Sequence, residues 1–344
     1  MIGRTLAGTN IIDQIGQGGM ATVYKAYDPK TDRYVAIKIL PEHFAKDETF
    51  LIRFENEARA IAKLEHIHIL PIFSYGEEDG IMYMVMRYMD TGTLADLIKQ
   101  GALSFKEASK LLKQIASALD YAHSHNIIHR DIKPSNVLID NLGNAYLTDF
   151  GIAKIVEGQT QGLTGTGLIG TPQYMSPEQC RGEKELTPAS DQYSLGIVLY
   201  EMVTGKTPYQ ADTPLAVIYM HVNSEPLTPP SQLRPNLTDA VEQVILKAMA
   251  NDPADRFPTC GALAEAFAEA VNRSDTVAAI TRKTIIPKTP ETVQSKDDAQ
   301  TTVVKPEKTG GRRLSAPVLF IATVGMIAFI IAAAILLQSA NSNS

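Results

Sequence analysis

His129-Arg130-Asp131-Ile132-Lys133-Pro134-Ser135-Asn136, followed by Asp149-Phe150-Gly151, places a carboxylate base, a cation and two oxygen ligands within one short span of chain. An Asp with a Lys two residues on and an Asn five residues on suits phosphoryl transfer from a nucleotide. Asp131 can accept a hydroxyl proton, Lys133 can neutralise the transferring phosphate, and Asn136 with Asp149 can hold Mg²⁺ through oxygen. The apolar runs Asn126-Ile127-Ile128 and Val137-Leu138-Ile139 on either side are predicted as short buried strands that hold the loop rigid. A His-Arg-Asp tripeptide alone is weak, and solvated loop polars are its plain alternative. The whole string with its Asp-Phe-Gly is far more specific.

On these motifs the chain resembles protein kinases, and specifically the eukaryotic-like Ser/Thr kinases of bacteria in their membrane-anchored form. The resemblance covers about residues 9–268. It implies an α+β, two-lobed kinase fold: an N-lobe of about 9–88 with a small antiparallel sheet and one helix, and a larger, mainly helical C-lobe of about 89–271.

Upstream, Ile15-Gly16-Gln17-Gly18-Gly19-Met20-Ala21-Thr22-Val23-Tyr24 is a glycine-rich turn between β-branched runs. Glycine lets backbone N–H groups approach phosphate oxygens without a Cβ in the way. Such a loop by itself is equally a hairpin turn. The resemblance assigns it to ATP, with Ala21 where the general kinase pattern has a third glycine. Val35-Ala36-Ile37-Lys38 reads as a strand closed by a Lys, which by resemblance binds the α- and β-phosphates and pairs with a helix Glu. Between Phe50 and Leu64, the residues Phe50, Phe54, Ile61 and Leu64 fall on one helical stripe, and Glu57 fills its gap. A carboxylate on a buried face requires a cation, so Lys38 is its predicted partner.

Met82-Tyr83-Met84-Val85-Met86 reads as a strand, with Arg87-Tyr88-Met89-Asp90 leading through Thr91-Gly92 to a helix near Leu94. By resemblance this is the interlobe hinge, with backbone near Tyr88 and Met89 at adenine and Met86 as gatekeeper. The alternating methionines read more simply as strand packing. The implied ATP site is therefore Ile15, Gly16, Gln17, Gly18, Gly19, Val23, Ala36, Lys38, Glu57, Met86, Tyr88 and Met89. Mg²⁺, or Mn²⁺ in its place, falls to Asn136 and Asp149, and the catalytic pair is Asp131 and Lys133.

Residues 152–169 are polar and rich in Gly and Thr, the composition of a regulatory loop. By resemblance Thr164 and Thr166 are activation-loop phosphosites, with Arg130 as the cation that orders them, and Thr160 is a weaker candidate. Thr171 is implied to face the substrate and to hydrogen-bond Asp131, arguing for Ser/Thr over Tyr acceptors. Glu178 is implied to pair with Arg256 in a buried ion pair. Asp191, at the start of a central helix, has a structural reading, capping its own turn and binding the catalytic-loop backbone. Tyr193 stands where a Trp is usual, and residues 239–271 are predicted as amphipathic helices.

The net charge of −6 is mild, and no zinc spacing, basic aromatic patch or nucleic-acid motif is present. Two cysteines, Cys180 and Cys260, suggest no disulfide framework. Residues 272–316 read as a disordered linker. Residues 317–337 carry no charge, and Val318 to Leu337 as a helix spans about 30 Å, the thickness of a bilayer core. Arg312-Arg313 before this span places the catalytic region in the cytoplasm, leaving 338–344 as a short exterior tail. No signal peptide is read at Met1. The absence of a large exterior sensor favours activation by clustering, a membrane partner, or autophosphorylation in trans between two copies. Ala328, Ala332 and Gly325 offer a close-packing helix face for such a pair. Thr301-Thr302-Val303-Val304 offers phosphothreonines to forkhead-associated domains. Protein Ser/Thr phosphorylation is the expected activity. The alternative, a catalytically silent membrane scaffold, is expected to lack Lys38, Asp131 or Asp149, and the chain keeps all three.

Overall fold

The computed structural model describes residues 1–18, 21–41, 48–150 and 171–284. The predicted sites at Gly19, Thr160, Thr164 and Thr166, the linker beyond 284, the span 317–337 and the tail 338–344 lie outside them. Among the described residues no helix is long and apolar enough to cross a membrane.

The N-terminal part is a six-stranded sheet of order β1-β2-β3-β4-β6-β5, every neighbouring pair antiparallel. Its strands are β1 (Thr5–Leu6), β2 (Thr9–Gly18), β3 (Ala21–Asp28), β4 (Arg33–Ile39), β5 (Ile72–Glu78) and β6 (Ile81–Arg87). The β5–β6 hairpin turns at Asp79-Gly80, both at positive φ (54° and 76°), the pair of left-handed residues a tight hairpin needs. Successive strand side chains point to opposite faces. On β6, Met82, Met84 and Met86 join the core under α1 (Glu48–Ala62), while Ile81 and Val85 join the core on the other face. The methionine alternation is thus strand packing. On β4, Ala36 lies on the α1 side and Val35, Ile37 and Ile39 on the other. By the same period Lys38 shares the face of Ala36 and pairs in register with Val23 and Met84.

The predicted stripe is buried: Phe50, Phe54 and Ile61 of α1, and Leu64 just past its end, are all in the core. Ala58 is buried beside them, and Glu57 is only half-buried.

The C-terminal part is built on α3 (Phe105–Ser124) and α5 (Pro188–Thr204). A capping box starts α3, Ser104 and Glu107 each bonding the other's backbone N–H. Helix α5 is apolar nearly all round and buried nearly all round, as a central helix must be. It crosses α8 (Asp239–Ala248) so closely that a Cβ on Gly196 would lie 2.9 Å from the Ala248 Cβ. Between these run α2 (Leu94–Lys99), α4 (Pro177–Cys180), α6 (Pro214–Asn223) and α7 (Pro230–Leu233). A two-stranded sheet, β7 (Val137–Ile139) with β8 (Ala145–Leu147), lies at the junction with the upper sheet. Helix α9 begins at Cys260 and continues to Thr284. Residues 272–284, predicted as linker, are therefore helical. Asn126-Ile127-Ile128, predicted as a buried strand, forms none: Asn126 adopts φ 60° just past the end of α3, and the two isoleucines are half-buried outside any regular element.

Candidate active site

The catalytic loop hangs between the end of α3 and β7, and its geometry is fixed by a carboxylate beneath it. Asp191 Oδ2 accepts from the His129 N–H at 2.8 Å, and Oδ1 accepts from the Arg130 N–H at 2.8 Å. His123 Nε2 completes the set, 2.8 Å from Asp191 Oδ2. Both oxygens thus hold the loop and His123, which bears out loop binding by Asp191 but not the capping of its own turn. Arg130 has φ 70°, a left-handed conformation that a non-glycine residue adopts only under restraint. Its N–H is held by Asp191, and its carbonyl accepts from Gln179 Nε2 at 2.7 Å.

His129 is fully buried, which pushes its pKa down and keeps the ring neutral. Nε2 is 2.9 Å from the Thr148 carbonyl and therefore donates, while Nδ1 accepts from the Asp131 N–H at 3.3 Å. The ring so joins Asp131 to the strand that delivers Asp149. Its face packs on Phe150 at 4.5 Å between centroids.

At Asp131 the two carboxylate oxygens differ. Oδ2 accepts from Lys133 Nζ at 2.8 Å and from Asn136 Nδ2 at 3.0 Å. Among the described residues Oδ1 accepts from none, and Asp131 is about three-tenths exposed. Lys133 Nζ also reaches Thr171 Oγ1 at 3.4 Å. The bond predicted from Thr171 to Asp131 is therefore made through Lys133. Asn136 gives its amide N–H groups to the Asp131 carbonyl and Oδ2, which turns its carbonyl oxygen free for another donor or a cation.

Lys38 departs from expectation. Its Nζ lies 2.8 Å from Asp149 Oδ1, so the ion pair observed is with Asp149 and not with Glu57. Burial alone would raise the Asp149 pKa, but the adjacent Lys38 charge outweighs it and holds the carboxyl below its usual range. Asp149 has φ 67°, a second left-handed non-glycine residue at the site. The oxygen-only pair of Asp149 and Asn136 suits a hard divalent cation.

Above them, Gly16 and Gly18 lie at the end of β2, Gly16 opposite Val23 and Gly18 opposite Ala21. A Cβ at Gly16 or Gly18 would meet the nearest protein atom only at 3.8 Å, an ordinary contact. Among the described residues nothing demands glycine at either position, and a bare backbone there leaves room for a ligand to approach the N–H groups. Ile15 and Gln17 flank them, exposed. Ala36, Met86, Val23, Tyr88 and Met89 belong to one apolar cluster, and Leu138 of β7 packs against it from below. Leu138, predicted only as part of a short strand, thus belongs to the site. The signal was there in the period of two: Val137 and Ile139 are buried in the lower core, so Leu138 points the other way.

Glu178 and Arg256 pair as predicted, with Ser190 Oγ donating to Glu178 Oε1 at 2.7 Å.

The chain matches the protein kinase domain family over residues 9–268. It is similar to serine/threonine-protein kinase PrkC of Bacillus subtilis, 44% identical over 262 residues that cover 75% of this chain and 40% of that protein. Serine/threonine-protein kinase PknB of Mycolicibacterium smegmatis is 40% identical over 251 residues, covering 71% of this chain and 40% of its own. Among solved structures, the PknI kinase domain of Mycobacterium tuberculosis superimposes with a TM-score of 0.64 at 28% identity, covering 79% of this chain and 99% of that one. The chain thus spans about 40% of the length of the two full-length relatives.

Proposed function

The chain belongs to the protein kinase family, whose members use ATP and a divalent metal, and on that premise we propose that it is a protein serine/threonine kinase. One observation carries the reading: Asp131 has one oxygen held by Lys133 and Asn136, while its other oxygen accepts from none of the described residues and the side chain is partly exposed. That is the arrangement a base needs to accept the proton of an incoming Ser or Thr hydroxyl.

The remaining roles follow from position. The backbone at Gly16 and Gly18 approaches the phosphates, and Ala36, Val23, Leu138 and Met86 close on adenine while backbone at Tyr88 and Met89 bonds its edge. Lys38 and Asp149 neutralise one another at 2.8 Å. With nucleotide bound, Lys38 would neutralise phosphate charge, and Asp149 with Asn136 would hold Mg²⁺ through oxygen. The metal, when bound, offsets the charge of the phosphate oxygens. Lys133 sits beside the base, where it stabilises the charge of the phosphoryl group in transfer. Thr171, 3.4 Å from Lys133 Nζ, lies where the acceptor side chain enters. The scaffold alternative gains no support, since Lys38, Asp131 and Asp149 are all present and assembled.

Regulation and location extend the same proposal. Thr164 and Thr166 become phosphorylated, in trans between copies, and order against Arg130. The uncharged run 317–337 anchors the chain in the cell membrane, with Arg312-Arg313 keeping the catalytic region on the cytoplasmic side. Protein substrates, and forkhead-associated-domain proteins reading linker phosphothreonines, are the partners.

The test is incubation of the full-length protein in detergent with radiolabelled ATP and Mg²⁺, beside Asp131→Asn and the Thr164→Ala/Thr166→Ala double variant, with site mapping. Label on Ser and Thr of the wild type, absent from Asp131→Asn, is the expected result. Equal labelling of Asp131→Asn, or none on wild type that binds ATP, overturns the reading.

A further inference from the structure

Where α3, the first turns of α5 and the start of α9 meet, a cavity of about 280 Å³ is lined by Asp120, His123, Gln192 and Cys260. One ligand atom each from Asp120, His123 and Cys260 lies within 4.8 Å of the other two. Carboxylate oxygen, imidazole nitrogen and thiol sulfur together form a donor set that suits zinc.

Each group is already oriented. His123 Nε2 is 2.8 Å from Asp191 Oδ2 and donates its proton there, which leaves Nδ1 with its lone pair. A carboxylate behind the second ring nitrogen is the support that metal-bound histidines have. Asp120 Oδ1 accepts from the Cys260 N–H at 3.0 Å and Oδ2 from the Gly261 N–H at 2.8 Å. These bonds fix the carboxylate at the start of α9 and leave it further lone pairs. Gly261 is required for this approach, since a Cβ there would lie 2.7 Å from Asp120 Oδ2.

Gln192 lines the same cavity; it is 1% exposed, and its Nε2 donates to the Ala248 carbonyl at 3.4 Å.

We propose that this cavity is a Zn²⁺ site, with Asp120, His123 Nδ1 and Cys260 Sγ as ligands and water from the cavity completing the coordination. On binding, the Cys260 S–H bond gives its proton to solvent and the Sγ–Zn bond forms. The thiolate and the carboxylate balance the two charges of the ion. The ion fixes the His123 tautomer, and through Asp191 it braces the His129 and Arg130 N–H groups from behind.

The test uses full-length, untagged protein in detergent, stripped with a chelator and titrated with Co²⁺. Expected is a thiolate-to-cobalt charge-transfer band that saturates at one ion per chain and is erased by Zn²⁺. Cys260→Ser abolishes the band, Cys180→Ser keeps it, and Asp120→Asn weakens Co²⁺ binding at least tenfold. The wild-type titration is decisive without any variant, which covers the case of a variant that does not fold. No saturable band on wild type, or a band that survives in Cys260→Ser, overturns the site.

Discussion

Arg256 and Glu178 meet in a buried, two-pronged pair: Nη1 lies 2.9 Å from Oε1 and Nη2 2.9 Å from Oε2. The other guanidinium N–H groups go to backbone carbonyls, Nε to Ala250, Nη1 to Ala189 and Nη2 to Asn251. All five donors of a fully buried cation are matched, which ties α4, the start of α5 and the loop after α8 into one unit.

Arg256→Ala should therefore cost about 3–5 kcal/mol of stability by leaving Glu178 buried without its countercharge. Arg256→Lys should recover only part of this, because an ammonium cannot reproduce the planar fork. Urea unfolding of both variants measures it, and a loss under about 1 kcal/mol for Arg256→Ala would contradict the pairing energetics.

Gly18→Ala should separate folding from nucleotide binding. The added Cβ meets only Ala21 O at 3.8 Å, so the melting temperature should hold or rise slightly. The KM for ATP should rise several-fold while unfolding is unchanged. A lowered melting temperature with unaltered KM would place the glycine's role in the fold.

Asp131→Asn should reduce kcat at least about a hundredfold, the lower range for losing a positioned base. ATP affinity should remain near wild type, since Asp131 is not among the residues expected to hold the nucleotide or its metal. Equilibrium nucleotide binding beside steady-state rates checks both halves.

Stability should fall as pH drops from about 6.5 toward 4 because of His221. Burial lowers its pKa from 6.5 to about 4, its Nδ1 is 2.8 Å from the Tyr193 hydroxyl, and Tyr209 packs on its ring at 4.7 Å. The unfolded chain binds the proton at higher pH than the folded one, so the penalty accumulates between those values and is absent above pH 7. At pH 5 it should reach about 2 kcal/mol. Replacing the ring in His221→Asn should flatten that part of the pH dependence in urea titrations.

The sequence made the catalytic loop legible because its chemistry is local: Asp131, Lys133 and Asn136 meet through neighbouring backbone, and the structure brings them within 3.0 Å. The α1 stripe and the Glu178–Arg256 pair were also readable, the first by period and the second by motif. The partner of Lys38 was not. Whether Glu57 or Asp149 reaches it depends on how α1 seats against the sheet and on the left-handed backbone at Asp149, and neither leaves a periodic trace. Asn126-Ile127-Ile128 misled because an apolar run after a helix reads like a strand until its φ values are known. The meeting of Asp120, His123, Gln192 and Cys260 was equally invisible, since it depends on where three helices cross.

Tyr193, fully enclosed beneath the Arg256 guanidinium at 4.9 Å, takes a core place in a chain that has no tryptophan at all. The protein's ultraviolet emission is therefore that of its tyrosines alone. A single indole installed at Tyr88, beside the expected adenine edge, would be the only such fluorophore in the molecule. Its quenching would report nucleotide occupancy directly, without a label and without turnover.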